Sequence, residues 1–204
     1  MARTRTISDD QILEAARELF LDRGMSVTTA EIAAHAGVSE GTIFRRFPTK
    51  EELFQHALGL PEPPAWYDKL EVGPEVDLRA HLEELGLEVV TFFRTMIPRM
   101  MMTRSCGMDQ LQVFGRVEGL PVPAWSLKKM TAMLTRAVER GQIQTEAPQM
   151  VARTFIGALA HFAVTEFVGV NAYMPIEPES YVRGVVATLW DGIAPESPAG
   201  GGSQ

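Results

Sequence analysis

The segment at residues 28–53, TTAEIAAHAGVSEGTIFRRFPTKEEL, contains two helix breaks close together. Gly37 permits a sharp turn at the first break, and Pro48 interrupts the helical pattern at the second. Helices shorter than about 12–15 residues are marginal in water when isolated. The segment therefore predicts short helices held by a shared core, with Arg45 and Arg46 at the end of the middle helix.

Hydroxyl residues mark the predicted helix starts. Ser8, Thr28 and Thr49 are each followed three residues later by Gln or Glu, which is the capping-box pattern, and Ser39 is a further cap. Apolar residues follow these starts at helical spacing: Ile12, Leu13, Ala16, Leu19, Phe20, Ile32, Ala33, Val38, Ile43, Leu53, Phe54, Ala57 and Leu58. Four short helices are therefore expected to pool their apolar faces in one small core.

The remaining chain is also predicted to be helical, which makes the fold all-α. Residues 61–75 are rich in proline and form a predicted linker, tied down by Trp66 and Tyr67. Helices are predicted at 76–97, 124–140, 148–170 and 178–193, with the segment 98–123 ambiguous and no convincing strand. The expected organisation is an N-terminal domain 1–60, a C-terminal domain 76–194 and a disordered tail 195–204.

Composition excludes several classes of protein. Hydrophobic residues at 46% and charged residues at 22% are ordinary for a soluble globular protein. The single cysteine, Cys106, excludes an intrachain disulfide and fits the cytoplasm. The N-terminus lacks the apolar region of a secretion signal, and the apolar run 155–170 is too short to span a bilayer. The histidines show no metal-ligand spacing, so no metal and no cofactor are expected.

The segment 28–47 has the pattern of a helix-turn-helix, in which a first helix holds a second, recognition helix against DNA. Small side chains at Ser39, Gly41 and Thr42 would allow close approach, and Thr42 could contact a base. Arg45, Arg46 and Lys50 suit phosphates, as do Arg3 and Arg5 on the leading arm, although the net charge of −7 gives no general support for a nucleic-acid partner. Caps and glycine turns also occur in ordinary helical bundles, so spacing alone leaves both interpretations open.

Residues 12–54, ILEAARELFLDRGMSVTTAEIAAHAGVSEGTIFRRFPTKEELF, strongly resemble the tetracycline-repressor (TetR) family of bacterial transcription factors. The resemblance implies an all-helical homodimer. Its N-terminal three-helix domain, with the helix-turn-helix at about 28–47, would bind DNA, and its C-terminal helical domain would bind a ligand and form the dimer.

The resemblance also implies positions that contact DNA. A backbone-contacting threonine falls at Thr28 or Thr29, the recognition helix at 39–47 and a phosphate-binding lysine at Lys50. Phe44 stands where the family commonly has Tyr, and Arg46 where it often has His, so operator preference does not carry over. The full predicted set is Thr28, Thr29, Ser39, Glu40, Gly41, Thr42, Phe44, Arg45, Arg46 and Lys50.

Two further surfaces are predicted in the C-terminal domain. Flexible methionines beside aromatic residues suggest an adaptable effector pocket, although such residues also fill ordinary cores. The predicted pocket residues are Phe93, Met96, Met101, Met133 and Phe162.

The last two helices are more apolar than a monomer needs, and the family pattern makes them the dimer interface, with Phe167, Tyr181, Val185, Leu189 and Trp190.

The predicted function is a ligand-responsive transcriptional regulator, most simply a repressor. It would bind a pseudo-palindromic, double-stranded operator as a homodimer and release it when a small apolar or aromatic effector binds. One alternative is a helical enzyme with a vestigial DNA-binding domain, which would act on a hydrophobic substrate through Cys106 or His161. Another is a helical scaffold without a ligand. No nucleophile–base pattern supports the enzyme.

Overall fold

The computed structural model describes residues 8–59, 65–105 and 116–193. The predictions for Arg3, Arg5, Cys106 and the tail 195–204 lie outside these residues. Within them the chain forms two compact units, each described by itself below. The N-terminal unit contains α1–α4 and the part of α5 that starts at Pro98, and the C-terminal unit contains the earlier part of α5 and all of α6–α8.

The described residues form eight α-helices, which confirms the all-α prediction. The helices are α1 (Asp9–Arg23), α2 (Thr29–Ala36), α3 (Glu40–Arg46), α4 (Lys50–Leu58), α5 (Leu78–Ser105), α6 (Val122–Glu139), α7 (Pro148–Phe167) and α8 (Pro178–Ile193). Short 3₁₀ helices lie at Gly24–Ser26, Ala65–Leu70 and Val170–Ala172.

Local caps start the helices of the N-terminal unit. Ser8 and Thr28 form complete capping boxes with Gln11 and Glu31, as predicted. At Thr49 only half of the predicted box forms, because the hydroxyl accepts the backbone N–H of Glu52 at 3.0 Å while the structure records no return bond from the Glu52 side chain.

The predicted small core of the N-terminal unit is confirmed. Fully buried apolar side chains from all four helices meet there, and the rings of Phe20 and Phe54 pack edge to face at 4.9 Å between centroids. Leu13, Leu19 and Val38 are partly buried against this core. Because Ile43 and Phe47 belong to it, the inner side of α3 is fixed and its other side is left outward.

Two predictions for the segment 98–123 need correction. The helix predicted to end at 97 continues through Pro98 to Ser105. Thr103 is buried, with its hydroxyl donating to the Arg99 carbonyl at 2.9 Å, and Met102 packs against the N-terminal core, so tertiary contacts hold the residues that follow the proline.

A short hairpin was also missed. It pairs β1 (Arg116–Val117) with β2 (Leu120–Pro121) through a turn in which Glu118 and Gly119 both have positive φ. Strands of two residues are too short to show the alternation by which a strand is recognised in a sequence.

Gly86 allows close contact between α5 and α8 in the C-terminal unit. A Cβ at Gly86 would lie 2.6 Å from Cγ1 of Val182 and 3.5 Å from Cζ of Phe155. Both of these side chains are buried, and the β-branched valine has little rotamer freedom.

We expect Gly86→Ala to destabilise the protein by about 1–3 kcal/mol through overpacking, although alanine favours helix by about 1 kcal/mol. Urea denaturation measures the change. Gly192→Ala is the control, because Gly192 also lies in a helix and a Cβ added there meets no other atom within 4 Å. A midpoint for Gly86→Ala equal to that of the control would contradict the close approach.

Candidate nucleic-acid interface

The helix-turn-helix consists of α2, a glycine turn and α3. The Thr28 hydroxyl accepts the backbone N–H of Glu31 at 3.2 Å, and the Glu31 carboxylate accepts the Thr28 N–H at 2.7 Å, so α2 has a fixed start. It ends at Gly37, whose φ of 71° is left-handed. Ser39 then caps α3 by accepting the N–H of Thr42 at 3.2 Å.

The charge on Glu31 keeps the α2 cap intact over a wide pH range. The backbone N–H of Thr28 and the Arg23 guanidinium, together with the Thr28 hydroxyl, lower the pKa of Glu31 from 4.5 to about 2. A lowered carboxyl pKa stabilises the fold above the unfolded pKa, and that contribution is lost as pH falls toward the folded value. The cap is therefore complete at every pH at which DNA binding would be measured.

The outward face of α3 is the main feature of the site. Glu40, Gly41, Phe44 and Arg45 are exposed and lie at the i, i+1, i+4 and i+5 positions of one helical face, which we call the outer face. Phe44 is 42% exposed although it is a large apolar side chain. A single exposed aromatic ring is ordinary on a protein surface, so Phe44 counts here only as one member of the outer face.

The threonines predicted to contact DNA have different surroundings. Thr29 is 7% exposed and belongs to the interior, whereas Thr28 is exposed. The Thr42 hydroxyl lies 2.9 Å from the Ser39 hydroxyl and is partly buried, so it is already part of the α3 cap. Thr28 is thus the more accessible of the two backbone candidates, with its hydroxyl bonded to Glu31 in the α2 cap, and the outer face is more accessible than Thr42.

The cations predicted to bind phosphate also differ. The Arg46 guanidinium pairs with Asp9 at 2.8 Å and is only 23% exposed. The Lys50 ammonium donates to the carbonyl of Met25 at 2.7 Å and is partly buried. Arg45 is exposed and has no recorded partner among the described residues. Arg45 is therefore the cation of α3 that is free to meet an anion without breaking an internal contact.

Lys50 can serve both the fold and a phosphate, because an ammonium has three donors. We expect Lys50→Ala to weaken binding to all DNA sequences alike and to lower the salt slope by about one, and also to lose about 1–3 kcal/mol of stability with the Met25 bond. Titrations at several salt concentrations and urea denaturation measure the two effects. A salt slope identical to that of the wild type would remove Lys50 from the phosphate contacts.

The predicted effector residues do not form one group. Met96, Met133 and Phe162 are at most 1% exposed in the core of the C-terminal unit, and Phe93 is half-buried. Met101 is 46% exposed and belongs to the N-terminal unit. The pocket stays a prediction. The sequence analysis did not find the group of buried aromatic residues around Trp66 and Trp125, because these two residues are far apart in sequence.

Three of the five predicted interface residues, Tyr181, Val185 and Leu189, line a groove on the α7–α8 side of the C-terminal unit, whereas Trp190 lines a small inner cavity with Leu82 and Phe155. Phe167 is 50% exposed, whereas Tyr181 is half-buried and its hydroxyl donates to the Ala158 carbonyl at 3.0 Å. This shallow groove is lined by Thr154, Ala158, Ile176, Ser180, Tyr181, Gly184, Val185, Thr188 and Leu189. No charged side chain belongs to this lining, so the groove is suited to contact with another protein surface.

Two polar residues of α7 that the sequence left unassigned are now placed. His161 is exposed. Glu166 accepts two hydrogen bonds from the Arg94 guanidinium, at 2.6 and 2.7 Å, and this partner lowers the pKa of the Glu166 carboxyl. The guanidinium also lies 5.7 Å from the centre of the Phe162 ring. Glu166 thus joins α7 to α5.

The described residues contain no group of side chains that could hold a metal ion. No helix among them is long and apolar enough to cross a membrane.

Comparison with known proteins finds relatives of the N-terminal part of the chain, which contains the helix-turn-helix. Residues 12–57 match the family described as bacterial regulatory proteins, tetR family. The HTH-type transcriptional repressor BepR of Brucella suis is 43% identical over 51 residues, which are 24% of each chain. The nucleoid occlusion factor SlmA of Marinobacter nauticus is 33% identical over 86 residues, or 41% of this chain and 44% of SlmA. The chain thus spans less than half the length of these curated relatives.

Solved structures extend the likeness to the whole fold. A TetR-family transcriptional regulator from Mesorhizobium loti has a TM-score of 0.66 at 20% identity, covering 91% of this chain and 96% of that one. FadR from Bacillus subtilis, solved with stearoyl-CoA, has a TM-score of 0.66 at 17% identity, covering 91% and 100%. At such identities the likeness concerns the fold alone.

Proposed function

Because the chain belongs to the TetR family of bacterial regulatory proteins, we propose that it is a ligand-responsive transcriptional repressor that binds DNA as a homodimer. The observation that carries the proposal is the outer face of α3, Glu40, Gly41, Phe44 and Arg45. These residues lie on the side of α3 away from its fixed core, and the major groove is wide enough to admit such a helix. A cytoplasmic location follows from this role.

Three of the four residues on the outer face have a role in the proposed complex. The Arg45 guanidinium would contact phosphate or guanine, Gly41 would let the backbone approach, and the Phe44 ring would contact a thymine methyl. Thr28 and Lys50, on the neighbouring helices, would bind the phosphate backbone and set the orientation. For Arg46 to contact phosphate it would first have to leave Asp9.

The proposed dimer forms through the uncharged groove of α7 and α8. A two-fold axis between these helices would place the same groove on both protomers and build a four-helix bundle. Two recognition helices would then read a pseudo-palindromic operator, with half-site centres about 34–36 Å apart or somewhat more.

The proposed effector is a small apolar or aromatic compound bound in the C-terminal unit. Its effect would be a population shift toward a state in which the two recognition helices no longer match successive major grooves. α5 is suited to carry that effect because one continuous helix contributes to both units. Its Arg99 guanidinium donates to the Gly59 carbonyl at 3.4 Å, just after the end of α4.

The test is selection of bound DNA from a random pool with the full chain, repeated in the presence of candidate effectors. We expect recovery of a two-fold-symmetric consensus that is lost when an effector is present. Recovery of no consensus would contradict sequence-specific regulation. A consensus that no effector changes would contradict ligand control while leaving DNA binding in place.

A further inference from the structure

A buried aromatic cluster lies in the C-terminal unit, which we call the tryptophan cluster: Trp66, Tyr67, Phe92 and Trp125. The Tyr67 ring packs against both indoles, with centroids 4.4 Å from Trp66 and 4.7 Å from Trp125, and Trp66 lies 6.1 Å from Phe92. Trp66 and Trp125 are 4% and 9% exposed. The two indoles, from the 3₁₀ helix and α6, thus meet at one phenol ring, and Phe92 of α5 packs on the Trp66 side.

The hydroxyl groups of the cluster satisfy one another. The Ser126 hydroxyl donates to the Val122 carbonyl at 2.7 Å, so its oxygen is free to accept. The Tyr67 hydroxyl is hydrogen-bonded to that oxygen and therefore acts as the donor. These two hydrogen bonds run from Tyr67 through Ser126 to the Val122 carbonyl, so neither hydroxyl needs an additional partner.

The indole N–H groups are not satisfied. Nε1 of Trp66 and Nε1 of Trp125 are both buried, and neither has a hydrogen-bond partner among the described residues. Leaving a buried donor unpaired is destabilising, so two unpaired donors in one cluster are unexpected in a core that phenylalanine could fill. What the cluster lacks is an acceptor.

The surroundings define the kind of acceptor. Burial raises the pKa of the Tyr67 hydroxyl, which indicates that the cluster disfavours a charged group. The Lys129 ammonium lies 5.2 Å from the centre of the Trp125 ring. This positive charge would repel a cationic ligand, so a cation is disfavoured further. A neutral oxygen carried on an aromatic body fits both conditions.

We propose that the tryptophan cluster binds a neutral aromatic carbonyl compound, whose oxygen accepts hydrogen bonds from the indole N–H groups of Trp66 and Trp125. Both nitrogens are sealed in the structure, so the ligand enters when a ring at the edge of the cluster moves. Phe92 is half-buried there and contacts Phe93 at 5.4 Å, which links the cluster to a residue of the predicted pocket. The proposal rests on the proposed function only in making this compound the effector.

The direct test is nuclear magnetic resonance of the full chain with 1-indanone and indane, which differ only in the carbonyl. The chain has three tryptophans, so three indole N–H signals report all of them. We expect 1-indanone to move the Trp66 and Trp125 protons downfield, as new hydrogen bonds do, while the Trp190 proton stays in place. Indane should cause no downfield shift.

A second measurement uses variants that keep a ring but remove the N–H. In Trp66→Phe/Trp125→Phe, we expect the affinity ratio of 1-indanone to indane to fall at least tenfold, whereas Tyr173→Phe, at a ring that is 88% exposed, leaves the ratio unchanged. Taking the ratio cancels any general loss of packing in the double variant. Thermal denaturation of both variants checks that they are folded.

Several outcomes would overturn the proposal. These are no binding of 1-indanone at 1 mM, an affinity ratio unchanged in the double variant, or indole signals that never move because the N–H groups point at neighbouring ring faces. None of these results depends on DNA. Failure here would leave operator binding intact, and failure to bind an operator would leave this test valid.

Discussion

Replacing Gly184 by glutamate is expected to convert the protein from dimer to monomer at low micromolar concentration. A Cβ at Gly184 meets no atom within 4 Å in the single chain, so the variant should fold normally. In the proposed symmetric interface each protomer would instead bury an unpaired carboxylate. Each such charge costs about 3–5 kcal/mol, so even one of the two would weaken association by roughly 10²–10⁴-fold.

The control for this variant is Gly73→Glu. Gly73 is exposed and its Cβ also meets open space, but it lies outside α7 and α8. Sedimentation should find the control dimeric and Gly184→Glu monomeric, with equal helix content by circular dichroism. Operator affinity should fall with the dimer, since one recognition helix alone reads only half a site. A Gly184→Glu protein that is still dimeric would place the interface elsewhere.

Replacing Phe54 by alanine is expected to cost about 3–5 kcal/mol of stability. Phe54 is 1% exposed and packs against Phe20 in the core that holds the inner side of α3. The loss is large compared with the total stability of a small domain, so DNA binding should disappear with the fold of the N-terminal unit.

Phe44→Ala is the matched control, because it removes the same side chain from the outer face of α3. Its stability should stay within about 0.5 kcal/mol of the wild type, while operator affinity falls by about 1–3 kcal/mol. Urea denaturation and a DNA titration on both variants separate the two effects. If Phe44→Ala lost stability and kept full affinity, the Phe44 ring would be structural.

Features that depend on neighbours in sequence could be predicted. The caps at Ser8 and Thr28, the turn at Gly37 and the buried position of Ile43 follow from side chains within a few residues of one another. The helix-turn-helix is built from such local signals. That is why its helices and its core could be anticipated from the order of residues alone.

Features that depend on distant contacts could not be predicted. The Asp9 partner of Arg46 and the Met25 partner of Lys50 come from other helices or turns, so a free cation and a paired cation look the same in the sequence. The same limit applies to Met133, which is completely buried. Residue type alone does not distinguish a methionine packed in a core from a methionine that lines a pocket. The unpaired indoles emerge only once the fold brings Trp66 and Trp125 to one phenol ring.

The central claim is that two copies of the chain read one symmetric site through the outer face of α3. The measurement that tests it most directly is a titration of the wild-type protein, at one fixed salt concentration, with a duplex carrying the selected site and a duplex of equal length carrying a single half-site. We expect two protomers on the full site and at least 100-fold weaker binding to the half-site duplex. Equal affinity for the two duplexes would contradict the account.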